Sequence, residues 1–124
     1  MRAGVAALAL ALAFVSLPAA DASAAKLPFQ CATANRWCTF VLSKSGRIHF
    51  DIAGFDLQNR YRVCVTPPSA KERCKTFGLR PNPTGANSSS VRFTTNFPHA
   101  RHGRYRVRWV YEGRQLGKVL SFSA

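Results

Sequence analysis

The sequence predicts an all-β fold, a single β-sandwich domain of seven short strands. Short segments alternate apolar and polar side chains, and a period of two is typical of strands that bury one face. Glycine, proline and asparagine mark turns between these segments, roughly every ten residues. Helical periodicity is not visible in the segments between these turns. Together these features favour two packed antiparallel sheets.

Residues 1–24 have the features of a secretory signal peptide. Arg2 precedes a continuous apolar stretch, and Ala22-Ser23-Ala24 matches an A-x-A cleavage site. The apolar stretch is shorter than the roughly 20 residues that are needed to span a bilayer. We therefore predict Sec-type export of a mature domain, residues 25–124, which has no transmembrane segment and is extracellular or associated with the cell wall.

The predicted mature domain is strongly basic. It keeps 17 of the 18 basic residues and four of the five acidic residues, so its formal charge is +13. Such a charge attracts polyanions, but it also keeps a protein soluble without any partner. Net charge by itself therefore leaves both interpretations open.

The first four strands form two consecutive pairs. The first pair comprises a strand near Trp37–Ser43 and a clearly alternating strand over Gly46–Ala53. The second pair comprises Arg60–Thr66 and Glu72–Phe77. The chain reverses between them at two consecutive prolines, which cannot donate hydrogen bonds to a ladder.

The last three strands follow a long polar segment. Residues 81–90 are rich in proline, asparagine and serine, and we assign them no secondary structure. A fifth strand is predicted over Val91–Phe97, with its alternate residues facing the core. A hairpin over Gly103–Phe122 supplies strands six and seven. Gly117 interrupts the alternation of the seventh strand and predicts a β-bulge.

Four cysteines in a domain with an export signal predict two disulfides. Cys64 and Cys74 face each other across the predicted hairpin of strands three and four, where opposed side chains are close enough to bridge. Cys31 then pairs with Cys38, although four cysteines allow three pairings. Structural zinc is disfavoured because the spacings lack C-x-x-C knuckles. An outward-facing pair also requires strand four to be an edge strand, since its basic residues must then face inward.

The sixth strand carries a likeness to a known fold. Gly103-x-Tyr105-x-Val107 resembles the D/G-x-Y-x-C motif of immunoglobulin-like domains, with valine in place of the cysteine. The chain as a whole resembles small exported bacterial immunoglobulin-like β-sandwich proteins of uncharacterised function. The resemblance implies that Tyr105 forms a tyrosine corner by hydrogen-bonding to the preceding turn. It also implies that strands three, six and seven share one sheet.

Arginines alternate with aromatic residues along the sixth strand and lie on its solvent side. On a shared sheet, those of the third strand would join them to form what we call the arginine face. Its members are Arg60, Arg62, Arg104, Arg106 and Arg108. Arginine forks grip anionic groups, so we expect a non-enzymatic module that binds an anionic wall polymer, glycan or lipid headgroup. Nucleic acid is disfavoured because the aromatic residues are expected in the core.

The loop closed by Cys31 and Cys38 offers an alternative function. Arg36 and Trp37 lie near its expected tip, and a small ordered loop with these residue types resembles a protein-binding or protease-inhibitor loop. A solvated arginine face and a purely stabilising loop are the plain alternatives to both binding hypotheses.

Enzymatic chemistry is not indicated by the sequence. Paired carboxylates need two acids in one pocket, and the predicted mature domain has only four acids, at scattered positions. A G-x-S-x-G motif is absent, and the cysteines are assigned to disulfides. His99 and His102 are too few for a metal site. We therefore expect no catalytic residue, no metal and no cofactor.

Overall fold

The computed structural model describes residues 26–124, so the predicted signal peptide lies outside the described residues. These residues form nine strands, one 3₁₀ turn at Thr33–Asn35 and one short helix. Among the described helical segments, none has the length and apolar character needed to cross a membrane.

The nine strands and the helix follow one another in chain order. They are β1 Phe29–Cys31, β2 Trp37–Lys44, β3 Arg47–Gly54, β4 Arg60–Thr66, β5 Arg73–Gly78, β6 Arg80–Pro81, β7 Asn87–Arg92, α1 Phe93–Asn96, β8 Arg104–Tyr111 and β9 Arg114–Ser123. Two antiparallel sheets result. The first sheet has the order β1-β2-β3-β7-β6, and the second sheet has the order β5-β4-β8-β9.

Aromatic side chains fill the space between the two sheets. Phe50 of β3 is fully buried, and its ring makes tilted edge contacts with Phe93, Phe97, Trp109 and Phe122 at centroid distances of 5.4 to 6.3 Å. Edge-to-face geometry is favourable because the ring edge is positive and the face negative. Residues at alternate positions of β3, β4 and β8 supply this core, as their period of two predicts.

The predictions for the first four strands and for the disulfides are confirmed. β2 to β5 agree with the predicted ranges to within one residue at each end. Cys64 bonds to Cys74 across the β4–β5 ladder, and Cys31 bonds to Cys38 across β1 and β2. β5 is an edge strand, as an outward-facing Cys64–Cys74 pair requires.

The predicted fifth strand over Val91–Phe97 is wrong in its second half. The strand ends at Arg92, and the chain then makes one helical turn in which the Phe97 amide donates to the Phe93 carbonyl at 3.0 Å. The spacing explains the error, because residues four apart share a face in a helical turn as well as in a strand. Phe93 and Phe97 therefore both reach the core, whereas Thr95, expected inside, is exposed.

The absence of structure predicted for residues 81–90 is also wrong. β6 includes Pro81, and β7 begins at Asn87 and pairs with β3. Serines carry little strand signal, yet Ser89 faces the interior and accepts a 2.7 Å hydrogen bond from the Tyr61 hydroxyl of the opposite sheet. The described chain thus has nine strands where seven were predicted. Seven of the nine have six or more residues, and the additional two are short edge strands.

Two local features of the β8–β9 hairpin match their predictions. The Tyr105 hydroxyl donates to the Arg101 carbonyl at 2.6 Å, which is the hydrogen bond of a tyrosine corner. The β8–β9 register shifts beside Gly117, which has a φ of 68°. This bulge turns the Lys118 backbone towards β1, where the Gln30 side-chain amide pairs with its N–H and C=O at 2.7 and 2.8 Å. That contact ties the two sheets together at one edge.

Candidate functional site

The arginine face lies on the two central strands of the second sheet. β4 pairs with β8 so that Cys64 is opposite Arg108 and Thr66 is opposite Arg106. Alternation directs the even-numbered side chains of both strands away from the core. Arg60, Arg62, Arg104 and Arg106 are exposed, and Arg108 is half-buried. The five predicted residues therefore share one outer face.

Glu72 is an acidic residue that binds one of the five arginines of this face, Arg108. Arg108 donates to it with a two-pronged fork, from Nε to Oε2 at 2.7 Å and from Nη2 to Oε1 at 2.9 Å. Arg108 thereby holds the pKa of Glu72 below its usual value, against a smaller opposing effect of burial, and the charges of Arg62 and Arg106 act in the same direction. The same contact raises the pKa of Arg108. Arg108 already has an anionic partner.

A disulfide lies beneath this ion pair. Cys64 is buried although it is on the outer side of β4, and Cys74 Sγ is 3.8 Å from Glu72 Oε1. The ligand atoms of Cys64, Cys74 and Glu72 lie within 4.8 Å of one another. Both sulfurs are in a disulfide, so neither is a thiolate that could bind a metal.

The arginine face has a cleft at each end. The larger one, which we call the basic cleft, has a volume of about 650 Å³ and lies between the turn at 66–71 and residues Arg104 and Arg106. The smaller one, of about 340 Å³, contains Arg60, Arg62 and Glu112.

Lys71 is the site residue that sequence reasoning missed. It follows the proline turn and lines the basic cleft together with Arg104 and Arg106. The hairpin prediction carried the relevant signal, because it places residues just after the turn beside the end of β4. Among residues 26–124, salt bridges join Arg36 to Asp56, Lys44 to Asp51 and Arg108 to Glu72. Lys71, Arg104 and Arg106 are in none of them.

The prediction that Arg36 and Trp37 lie near a loop tip is wrong for Trp37. The tip is the 3₁₀ turn at Thr33–Asn35, whereas Trp37 begins β2, where it faces inward and packs partly buried against the core. Arg36 is exposed, but its Nε donates to Asp56 Oδ2 at 2.7 Å. The loop therefore presents an ion-paired arginine and no free tryptophan face.

The four acids of the described chain lie apart. Asp51 accepts hydrogen bonds from Lys44 and Ser90 on the outer face of the first sheet. Asp56 and Glu72 bind arginines, as described above, and Glu112 is at the β8–β9 turn. Glycosidase chemistry requires two carboxylates that face each other across one cavity. The four carboxylates of the described chain do not have this arrangement.

His99 and His102 belong to the segment before β8. The His99 ring packs against Phe93 at a centroid distance of 6.2 Å, and its Nδ1 is 3.0 Å from the Phe97 carbonyl oxygen. Within residues 26–124, the only group of three or more histidine, cysteine or acidic side chains close enough to share a metal is the one at the disulfide.

The fold and the face together define a basic, disulfide-bonded, all-β sandwich with two antiparallel sheets. Comparison with protein-family models, with curated proteins and with solved structures finds no significant match.

Proposed function

We propose that this protein is a secreted, non-enzymatic binding module with an immunoglobulin-like fold, which contacts an anionic envelope or extracellular ligand through its arginine face. The observation that carries the proposal is the position of four exposed arginines on the two central strands of one sheet, with Glu72 already bound to Arg108. Adjacent guanidinium groups repel one another, and an anionic ligand relieves that repulsion.

Strand order supports the immunoglobulin-like part of the proposal. Immunoglobulin-like sandwiches have one sheet in the order A-B-E-D and another in the order C-F-G. The order β2-β3-β7-β6 corresponds to the former and β4-β8-β9 to the latter, with β1 and β5 as additional edge strands. The hydrogen bond of Tyr105 to Arg101 lies at the start of β8, where such domains have their tyrosine corner.

The cysteines support export. Both disulfides of the described chain are formed, and such bonds persist in oxidising compartments. The scattered carboxylates support a binding role without catalysis.

A charge-reversal experiment tests the proposal. The triple variant R62E/R104E/R106E changes the arginine face, and R47E/R80E/R92E makes the same change in net charge at exposed positions of the first sheet. Vesicles of phosphatidylglycerol with phosphatidylcholine, and a cell-wall extract, serve as probes. We expect the first variant to lose about tenfold or more in affinity and to show a weaker dependence on salt, because fewer anionic contacts release counterions.

The matched control should keep an affinity within about threefold of the wild type, since long-range charge effects are screened in salt. Equal losses in both triple variants would mean that only net charge matters. Binding that survives in R62E/R104E/R106E would contradict the proposal.

A further inference from the structure

We infer that the binding part of the arginine face is the basic cleft, and that its ligand carries a phosphomonoester group. This inference rests on the proposed function and names the site and the ligand chemistry within it. The cleft has a volume of about 650 Å³, and three basic side chains line it: Lys71, Arg104 and Arg106.

The cleft is open to solvent, but the turn that forms one of its walls is stiff. One wall is the turn between β4 and β5, in which Pro67 and Pro68 have fixed φ angles. The turn packs closely on the start of β8, since a side chain at Gly103 would come within 3.1 Å of Pro68 Cγ. Cys64–Cys74 fixes the strands on both sides of the turn. A cleft that is ordered in advance lowers the cost of binding.

The positions of the acidic residues favour anion binding in the basic cleft over binding in the smaller cleft at Arg60 and Arg62. Glu112 lines the cleft that contains Arg60 and Arg62, where its charge opposes an incoming anion. No carboxylate lines the basic cleft. Glu72 lines a smaller neighbouring cleft together with Arg106, but its oxygens are bound to Arg108.

The number of cations points to a phosphomonoester over a carboxylate. One arginine fork satisfies both oxygens of a carboxylate, which has a single charge. A phosphomonoester has a charge of about −1.5 to −2 at neutral pH and three strong acceptor oxygens. Two forks from Arg104 and Arg106 and the point charge of Lys71 match that group, and Ser69 adds a hydroxyl to the lining.

Two small probes test the ligand chemistry. Phenyl phosphate has two charges near neutral pH, and phenyl sulfate has the same frame with one. We expect calorimetry at neutral pH and low salt to show phenyl phosphate binding about fivefold or more tightly, because the cleft supplies three cations. Equal affinity for the two probes would overturn the phosphomonoester assignment.

Two matched double variants test the location. R104Q/R106Q and R60Q/R62Q each remove two charges from exposed positions of the same face. We expect the first to lose at least about fivefold more affinity than the second, with thermal unfolding confirming that both are folded. If binding to anionic vesicles survives in R104Q/R106Q and is lost in R60Q/R62Q, the cleft is wrong while the proposed function stands. If the wild type binds no anionic probe, both are wrong.

A vesicle experiment distinguishes a lipid from a free ligand. Phosphatidic acid presents a phosphomonoester, and phosphatidylglycerol presents a diester. Preference for phosphatidic acid without measurable binding of phenyl phosphate supports the inference with a lipid surface as the source, provided that R104Q/R106Q abolishes the preference. Binding of phenyl phosphate alone supports it with a free ligand as the source.

Discussion

The two sheets of this sandwich present different outer faces. The centre of the first sheet is apolar or neutral, since Phe40 stacks on Phe29 at 5.7 Å and Asp51 binds both Lys44 and Ser90. The centre of the second sheet consists of arginines on β4 and β8, among which Glu72 is bound to Arg108. The arginines of the first sheet, Arg47, Arg80 and Arg92, lie on three different strands.

The difference shows why the position of a charge matters more than its number. Both faces contain basic residues, so the net charge of +13 does not distinguish them. On the second sheet, Arg60 and Arg62 are two positions apart on β4 and Arg104 and Arg106 are two positions apart on β8, so each pair shares a face, whereas the arginines of the first sheet lie on separate strands. We therefore expect the second sheet to gain more from an anionic ligand than the first.

The largest predicted effect is the loss of a disulfide. Each sheet contains one, so the two sheets can be compared. The variants C31S/C38S and C64S/C74S should each lower the free energy of unfolding by about 2.5–3 kcal/mol in the chain-entropy model. The cysteines are 7 and 10 residues apart, so the second loss should be slightly larger. Denaturant unfolding measures both losses.

The same variants also show which of the two sheets contributes to anion binding. Only C64S/C74S should also weaken anion binding, because Cys64 and Cys74 flank the turn that carries Lys71. Binding of both variants to anionic vesicles is measured under conditions in which both are folded. A loss of binding in C31S/C38S instead would show that the first sheet contributes to the site.

An intermediate effect is expected at alkaline pH from the buried hydroxyl of Tyr61, which lies between the two sheets. Burial raises the pKa of Tyr61 from 10.0 to about 12, partly offset by its hydrogen bond to Ser89. Because the folded pKa lies above the unfolded one, stability is intact below pH 10 and falls by about 2–3 kcal/mol as the pH rises to 12.

Urea unfolding at a series of pH values measures this loss. The variant Y61F should remove this contribution. S89A serves as the control, since it loses the hydrogen bond but keeps the phenol that titrates. A Y61F protein with an unchanged alkaline profile would contradict the assignment.

The smallest predicted effect concerns the ion pair on the second sheet. E72Q should lower the free energy of unfolding by about 0.2–1 kcal/mol at neutral pH, because both side chains are about one-third exposed. The pKa of Glu72 is lowered in the folded state, so its contribution is present above pH 4.5 and is lost as the pH falls through the folded pKa.

E72Q should nevertheless strengthen binding to anionic vesicles, since it releases Arg108 and removes an acid. E112Q is the control for stability, because Glu112 is in none of the salt bridges of the described chain. Weaker vesicle binding by E72Q would indicate that Glu72 holds the face in its binding geometry.

Much of the fold could be predicted because it depends on local patterns. The period of two in β3, β4 and β8 identifies which side chains are inside, and two turn prolines fix the hairpin that pairs Cys64 with Cys74. The errors arose where a local pattern fits two structures. Phe93 and Phe97 satisfy a strand and a helical turn equally, and serines give no signal for the pairing of β7 with β3.

Part of the candidate site could also be predicted from the sequence, and part of it could not. Alternation along β8 was enough to predict that Arg104, Arg106 and Arg108 share a face. The pairing of Arg108 with Glu72 could not be predicted, because the two residues are 36 positions apart and meet through the β4–β5 and β4–β8 ladders. The predicted hairpin places Lys71 beside the end of β4, but its proximity to Arg104 and Arg106 depends on the β4–β8 ladder.

The sequence by itself determined the all-β class, the pairing of Cys64 with Cys74 across a hairpin and the shared outward direction of Arg104, Arg106 and Arg108. Each of these follows from spacings of a few residues along one strand or one hairpin, whereas the tyrosine corner was implied by the resemblance to immunoglobulin-like domains. Only the tertiary structure decided which arginines have a partner, where Trp37 points and that a cleft lies beside Lys71. Those features depend on distances between strands that are remote in the chain, and side-chain alternation specifies a face without specifying its neighbours.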